Sequence, residues 1–385
     1  MKKHFFIYNL LSLTVLILFT TCYDPVFFRI SQEVEPVEPL IKGSPTNIVA
    51  FKRAVYVASG NTLYQYTGTT LGSSEPKWYT ARKFDNMRIL QIASTGEFLY
   101  VLYYKDSTPN NKTIERMNEL RVWETVSVDT GSYNNIQNIY SAYNTLFISA
   151  ANVSNSTESY SFFYLSDEGA DGLLGSGEIR GAAYDGTNYY ICTKEGGIYK
   201  TDASLMNSQE ISKIDVIYMG IINLEDSNKT IAAITRDSEL YILDKASGAS
   251  QPSGASFGGK YSTGALALWR DKDDPTKRLL LAGRQDQLQY TTDSGYTYGY
   301  MELQLDAAGP VGDFSEPGKN SITSDINNDQ FKSTIGKYPV SYIFQTPIYI
   351  DSNMRLFAST QKDGVWSYKT RNGVPQWNAE ADDDP

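Results

Sequence analysis

Ala54-Val55-Tyr56-Val57-Ala58-Ser59-Gly60-Asn61-Thr62-Leu63-Tyr64 carries the pattern that decides the fold. An apolar, β-rich run ends in a hydroxyl residue. A short polar turn follows, and an apolar residue beside an aromatic one opens the next run. Branched and aromatic residues suit a pleated strand, and Gly-Asn between two such runs reads as a hairpin turn. The order returns four times, with strands Tyr189 to Cys192, Ile231 to Ile234, Leu279 to Ala282 and Leu356 to Ser359 before the turns. After the turns stand Leu63, Ile198, Leu240, Leu288 and Val365. They are expected to be equivalent buried anchors of a third strand.

Upstream of each hairpin lies another apolar run: Ile48 to Phe51, Ala182 to Tyr184, Ile217 to Ile222, Ala265 to Trp269 and Val340 to Phe344. Two further units keep the order but are degenerate. One has strands Ile89 to Ala93 and Phe98 to Tyr104, a polar insert Lys105 to Glu119, then Leu120 to Trp123. The other has Ile136 to Ala142 and Leu146 to Ala150, an insert Asn152 to Ser159, then Tyr160 to Leu165. A third insert, Asp306 to Tyr338, precedes the last unit. Units of about 40 to 50 residues with four short strands mark β-propeller blades. The expected fold is therefore all-β, a β-propeller of about seven four-stranded blades, with six or eight left open. An α/β fold would need amphipathic helices between strands, and none is visible. A β-sandwich would not produce the repeated order. The long inserts are expected on a ligand-facing surface, because hairpins need only short turns.

The 385-residue chain begins with Lys2 and Lys3, an apolar stretch Phe5 to Phe19, and Thr20-Thr21-Cys22. A basic start and an apolar stretch of about 15 residues read as a signal peptide, too short for a span of about 20. Cysteine at the expected cut resembles a bacterial lipoprotein signal of the looser spirochaete and Bacteroidetes kind. Phe19 and Thr21 depart from the usual Leu and Gly or Ala. The resemblance implies that Cys22 is lipidated and anchors the protein to a membrane. Residues 1–21 are then the signal peptide, 22–46 an acidic, proline-bearing tether, and 47–385 a single propeller domain. Removing residues 1–21 takes two of the 34 basic residues and none of the 44 acidic ones, so the net charge moves from −10 to −12. It also removes His4, the single histidine. Triads, Cys-His pairs and imidazole metal sites are thereby excluded. With Cys22 acylated, Cys192 has no disulfide partner. The acidic balance argues against sequence-independent nucleic-acid binding.

Residues 291–298 match a known turn motif at Thr291, Asp293, Gly295, Thr297 and Tyr298. They resemble the Asp box of sialidase-like, BNR-type propellers, with weaker echoes at 166–169, 201–204 and 370–373. The resemblance implies a structural box between third strand Leu288 to Tyr290 and fourth strand Tyr298 to Leu303, on the face away from any active site. It implies a propeller, not a hydrolase. Sialidases also carry an early Phe-Arg-Ile-Pro and further arginines. Phe28-Arg29-Ile30-Ser31 falls in the tether, and Arg180, Arg236, Arg284 and Arg355 are scattered. Asp167 to Glu178 has calcium-loop spacing at Asp167, Asp171, Gly172 and Glu178, but Gly169 stands where a ligand is needed,. A Gly-rich connection explains it better. Cys192 reads as a small core residue. The expected role is an extracytoplasmic, membrane-anchored propeller at the outer membrane, periplasm or cell surface. It acts as a binding or scaffold protein for a protein or glycan partner, as a monomer, with no metal or cofactor. A sialidase-like glycan hydrolase and a membrane-complex assembly factor are the alternatives.

Overall fold

A computed structural model describes residues 40–68, 77–152, 159–225, 230–244, 250–258, 261–284, 299–307, 309–315, 335, 339–371 and 374–380. Among them are 28 strands and no helix. The first blade holds β1 (Val49–Phe51), β2 (Ala54–Ser59), β3 (Thr62–Thr67) and β4 (Lys77–Lys83). The second holds β5 (Met87–Ser94), β6 (Leu99–Lys105), β7 (Thr108–Met117) and β8 (Trp123–Thr125). In the third are β9 (Asn135–Ala142), β10 (Thr145–Asn152), β11 (Ser159–Ser166) and β12 (Asp171–Ser176). The fourth has β13 (Ile179–Tyr184), β14 (Asn188–Thr193), β15 (Gly197–Asp202) and β16 (Gln209–Lys213). Strands β17 (Tyr218–Asn223), β18 (Thr230–Thr235), β19 (Leu240–Asp244) and β20 (Ser250–Pro252) make the fifth. The sixth comprises β21 (Ser262–Arg270), β22 (Arg278–Arg284), β23 (Tyr300–Asp306) and β24 (Gly309–Ser315). The seventh comprises β25 (Val340–Gln345), β26 (Leu356–Thr360), β27 (Val365–Arg371) and β28 (Val374–Ala379). Each blade is a separate sheet of four consecutive strands, so the propeller has seven blades.

The core is divided rather than central. Seven apolar clusters occupy the seven gaps between successive blades, including the gap between the last blade and the first. Second strands are covered on both sheet faces, which explains their near-continuous apolar sequence; β10 buries every residue but its last,. Among the described residues, no strand is exchanged to close the ring. Residues ahead of β1 instead lie on the seventh blade: Leu40 N–H donates to Glu380 O at 2.8 Å and Gly364 N–H to Gly43 O at 2.8 Å. Tyr66 and Trp78 pack edge-on against Phe357 across the same seam.

Four of the five anchors are equivalent. Leu63, Ile198, Leu240 and Val365 are fully buried and stand opposite Ala58, Cys192, Ile234 and Ser359. Leu288 lies outside the described residues, and Tyr300 takes the fifth place. Arg284 N–H donates to Gly299 O, as Thr360 N–H does to Gly364 O, which sets Tyr300 opposite Gly283. The strand expected to be fourth in this blade is therefore its third. Residues 291–298 lie outside the described residues, ahead of β23.

The second blade brings another correction. Lys105 to Glu119 is not an insert: β7 pairs along β6 from Lys105↔Thr108 to Leu99↔Met117. Its first four residues are exposed, and that polar overhang disguises the strand. Leu120, read as opening the third strand, is 82% exposed in the turn before β8. Part of the insert Asp306 to Tyr338 is the fourth strand β24.

Candidate functional site

First strands follow one another around the axis, β5 beside β1 and so on to β25 beside β21. Six of the seven bulge: pairing with the second strand skips one residue near the start of β5, β13, β17 and β25 and within β9, and sets Thr263 to Ala265 of β21 against Gly283 alone. A bulge leaves one residue unpaired and re-aims its side chain. In β13 that residue is Arg180, between the pairs Ile179↔Thr193 and Gly181↔Cys192.

At the ends of the first strands a cavity of about 470 Å³ opens, walled by Ala182, Ile222, Leu268 and Phe344. Its rim carries Tyr143 and Tyr184, stacked at 4.8 Å and 11°. Tyr143 is 65% exposed and holds a left-handed backbone, φ 53°, a conformation that a bulky residue adopts at a cost. The polar rim groups are engaged in structure. Asn223 Nδ2 donates to Tyr184 O and Gln345 Nε2 to Arg270 O, each at 2.8 Å. Glu225, also at the rim, accepts from Arg270 Nη2 at 2.7 Å, so the mouth combines apolar walls and stacked aromatics with one paired carboxylate.

The opposite end of the channel is polar. Glu178 pairs with Arg180 and Lys194, each at 3.2 Å, and accepts from Asn138 Nδ2. Lys112 donates to Gln137. Burial pulls the Lys112 ammonium below its usual range, and Glu178 opposes that pull. Burial raises the Tyr140 phenol and Arg180 lowers it. Tyr342 is raised by burial and lowered by Arg180. Side chains from the third, fourth and seventh blades therefore lie within one electrostatic neighbourhood. A separate groove of about 310 Å³ beside the fourth blade is lined by Tyr160, Tyr199, Glu195, Glu210 and Lys213.

The sequence-predicted residues distribute unevenly. Cys22, Phe28 to Ser31, and Thr291, Asp293, Gly295, Thr297 and Tyr298 lie outside the described residues. The four arginines do not converge: Arg284 is buried against Met301 Sδ, Arg355 pairs with Asp351 at the other end of its blade, and Arg236 faces the Tyr261 ring. Asp171 begins strand β12, Asp167 accepts from Thr95 Oγ1 and the Glu97 amide, and Glu178 is held by cations. The calcium-loop spacing thus joins no ligands, and no group of metal-ligating side chains occurs among the described residues. Cys192 is buried between blades four and five, and burial pushes its thiol up to about 12. Tyr103 is core, donating to Glu115. Lys112, Lys194, Tyr140 and Tyr342 were not singled out in the sequence.

A model of the TP013X lipoprotein family matches residues 3–364. The chain belongs to the TP013X lipoprotein family. Membership makes this TP013X chain a lipoprotein, held at a membrane outside the cytoplasm. No curated protein matches it. Solved structures similar to the TP013X chain share its fold at low identity. The extracellular domain of the hybrid two-component system BT4673 from B. thetaiotaomicron is 13% identical with a TM-score of 0.52, over 86% of this chain and 39% of that one. YCF48 bound to D1 peptide is 11% identical with a TM-score of 0.51, over 87% of this chain and 96% of that one. YCF48 from Cyanidioschyzon merolae is 11% identical with a TM-score of 0.52, over 86% and 97%.

Proposed function

We propose that this TP013X chain is a binding protein, anchored through lipid on Cys22, that receives a protein or glycan partner at the apolar channel mouth. In this reading residues 1–21 are its signal peptide and the tether runs from Cys22 only to about residue 39, since Leu40 to Thr46 of the expected 22–46 tether are hydrogen-bonded to the propeller. The observation that carries this reading is the cavity of about 470 Å³ with the stacked Tyr143 and Tyr184 at its rim. The left-handed backbone of Tyr143 belongs to the two-residue turn between β9 and β10, as that of Lys52 does between β1 and β2,, and the large exposed ring it presents suits contact with a partner's ring or apolar side chain. YCF48, a propeller of the same fold, is known with a bound peptide, which supports a peptide as one class of partner. The Asp-box kinship rests on residues 291–298 alone. A hydrolase reading would need convergent acids and arginines, and no such convergence favours it among the described residues.

The test is an array of peptides and glycans probed with wild-type protein and Tyr143→Ala. Wild type is expected to retain a ligand, and Tyr143→Ala to weaken it about tenfold with an unchanged melting temperature, because this ring is mostly exposed,. Binding that survives Tyr143→Ala in full counts against the mouth. For the anchor, Cys22→Ala is expected to move the protein from the detergent phase to the aqueous phase on partition. Retention in detergent would refute lipidation at Cys22.

A further inference from the structure

Among the described residues, seven large apolar side chains are more than half exposed, and six of them stand at one end of the blades. In an antiparallel blade, the turn from first to second strand and the turn from third to fourth share an end. Tyr143, Ile348 and Tyr349 lie in turns of the first kind, between β9 and β10 and between β25 and β26. Leu120, Val122 and Met206 lie in turns of the second kind, between β7 and β8 and between β15 and β16. This is the end at which the mouth opens, since Tyr143 and Tyr184 form part of its lining. Leu205 sinks into the gap between blades three and four with Tyr184 and Tyr189, which brings the turn that carries the exposed Met206 to the same gap as the stacked pair. Single exposed apolar residues are ordinary, but their concentration on one face marks a surface that binds.

Over blades three and four this face is acidic. Asp167, Glu168, Asp171, Asp185 and Asp202 stand at this end of the two blades. Blade three, residues 135–176, has no lysine or arginine. Of the four bases in blade four, Lys200 alone approaches this end, over the Tyr190 ring at 5.8 Å, and Arg180, Lys194 and Lys213 belong to the other. At the flanking seams Arg116 pairs with Glu124 and Arg270 with Glu225, while Arg121 turns toward blade one and donates to Gln65. An acidic face repels a second copy of itself and anionic headgroups alike. The chain ahead of Leu40 also leaves from the other end, because Leu40 is bonded to Glu380, just after β28, and Gly43 to Gly364, in the second-to-third turn of blade seven. The attachment of the tether and the apolar turns are thus at opposite ends of the propeller. Asn223 and Gln345 at the mouth are spent on backbone groups, which leaves little for a glycan's hydroxyls. We infer that this face docks a protein partner through a segment that carries apolar and basic side chains together, an apolar one entering the mouth beside Tyr143 and its Lys or Arg neighbours meeting the carboxylates of blades three and four. The inference rests on the mouth being the binding site and names what it takes. The apolar anchor supplies affinity, and the charges around it supply rate and choice of partner.

Isothermal titration of the mature chain from residue 22, made as Cys22→Ala to keep lipid absent, tests this with three end-blocked peptides of equal length. One is built of Leu and Lys, one of Leu and Glu, and one of Ser and Lys. The Leu/Lys peptide is expected to bind about tenfold more tightly than either of the others. Met206→Ser should weaken it about fivefold, and Glu168→Gln with Asp171→Asn should lower the preference for Lys over Glu about threefold. Melting temperatures should not change, because all three side chains are exposed,. No binding of the Leu/Lys peptide, equal binding of it and either other peptide, or undiminished binding by Met206→Ser would each overturn the proposal. Sedimentation with phosphatidylcholine vesicles that Met206→Ser abolishes would assign the face to a bilayer, and a dimer that Met206→Ser abolishes would assign it to a second copy; either overturns the proposal too. Weakening by Tyr143→Ala, with Met206→Ser and the acid variants silent, would leave the mouth standing while the wider docking surface falls.

Discussion

At pH 9, Glu302→Gln is expected to resist urea better than the wild-type protein, and at about pH 4, below the window in which Glu302 titrates, the two should unfold together,. Glu302 lies on β23, fully buried between blades six and seven. It accepts from Tyr300 Oη at 3.3 Å, and Tyr300 in turn accepts from Trp377 Nε1 at 3.2 Å. Its second oxygen has no partner. Burial pushes the carboxyl from 4.5 up to about 8, with the Tyr300 hydrogen bond opposing only in part. The folded chain thus keeps a proton that the unfolded chain has released between about pH 4.5 and 8. Stability is greatest below that window and declines as pH rises through it. The wild-type deficit relative to Gln should grow to the order of 5 kcal/mol above pH 8, from about 1.4 kcal/mol per unit. A difference that does not change with pH would show that Glu302 ionises as freely folded as unfolded.

The seam between the first and last blades is expected to be equally sensitive. Phe357 is fully buried, with the Tyr66 ring at 4.9 Å and the Trp78 ring at 5.2 Å. Phe357→Ala should cost about 3–5 kcal/mol, because the rings around it are fixed in the first blade and cannot close on the space. Hydrogen exchange should show the amides of Gly364 and Leu40 losing protection first, since their bonds cross this seam,. A loss below about 1 kcal/mol would mean that ring closure does not depend on this cluster.

What the sequence disclosed follows from where each strand sits. Second strands are buried on both faces, so their apolar runs stood out and set the blade count. Fourth strands face solvent at the blade edge; β4 buries one residue of seven, and nothing in its sequence marks it. β7 was missed because its exposed half is polar, and β24 because it hid in a long connection. The Asp-box spacing was read as a local turn, but strand order is set by non-local pairing of β23 with β22. The candidate site was nearly invisible for a related reason. Arg180 was noted only as a scattered arginine. Its setting needs a bulge register and two tyrosines from other blades, which no local spacing encodes. The Glu178 cluster likewise gathers Lys112 and Lys194 from different blades.

The segment ahead of β1 has a mechanical consequence. Leu40 and Gly43 are bonded through the backbone to Glu380 and Gly364, Ser44 Oγ accepts from the Lys362 amide, and Thr46 O accepts from Ser359 Oγ. Thr46 also joins Ala58 by two hydrogen bonds, its amide donating and its Oγ1 accepting. A pull on the chain ahead of Leu40 therefore does not peel β1 from its sheet. The load passes first into the seventh blade, is shared by several bonds at once, and draws that blade toward the first. Tension on the leash tightens the ring at its one covalently open joint.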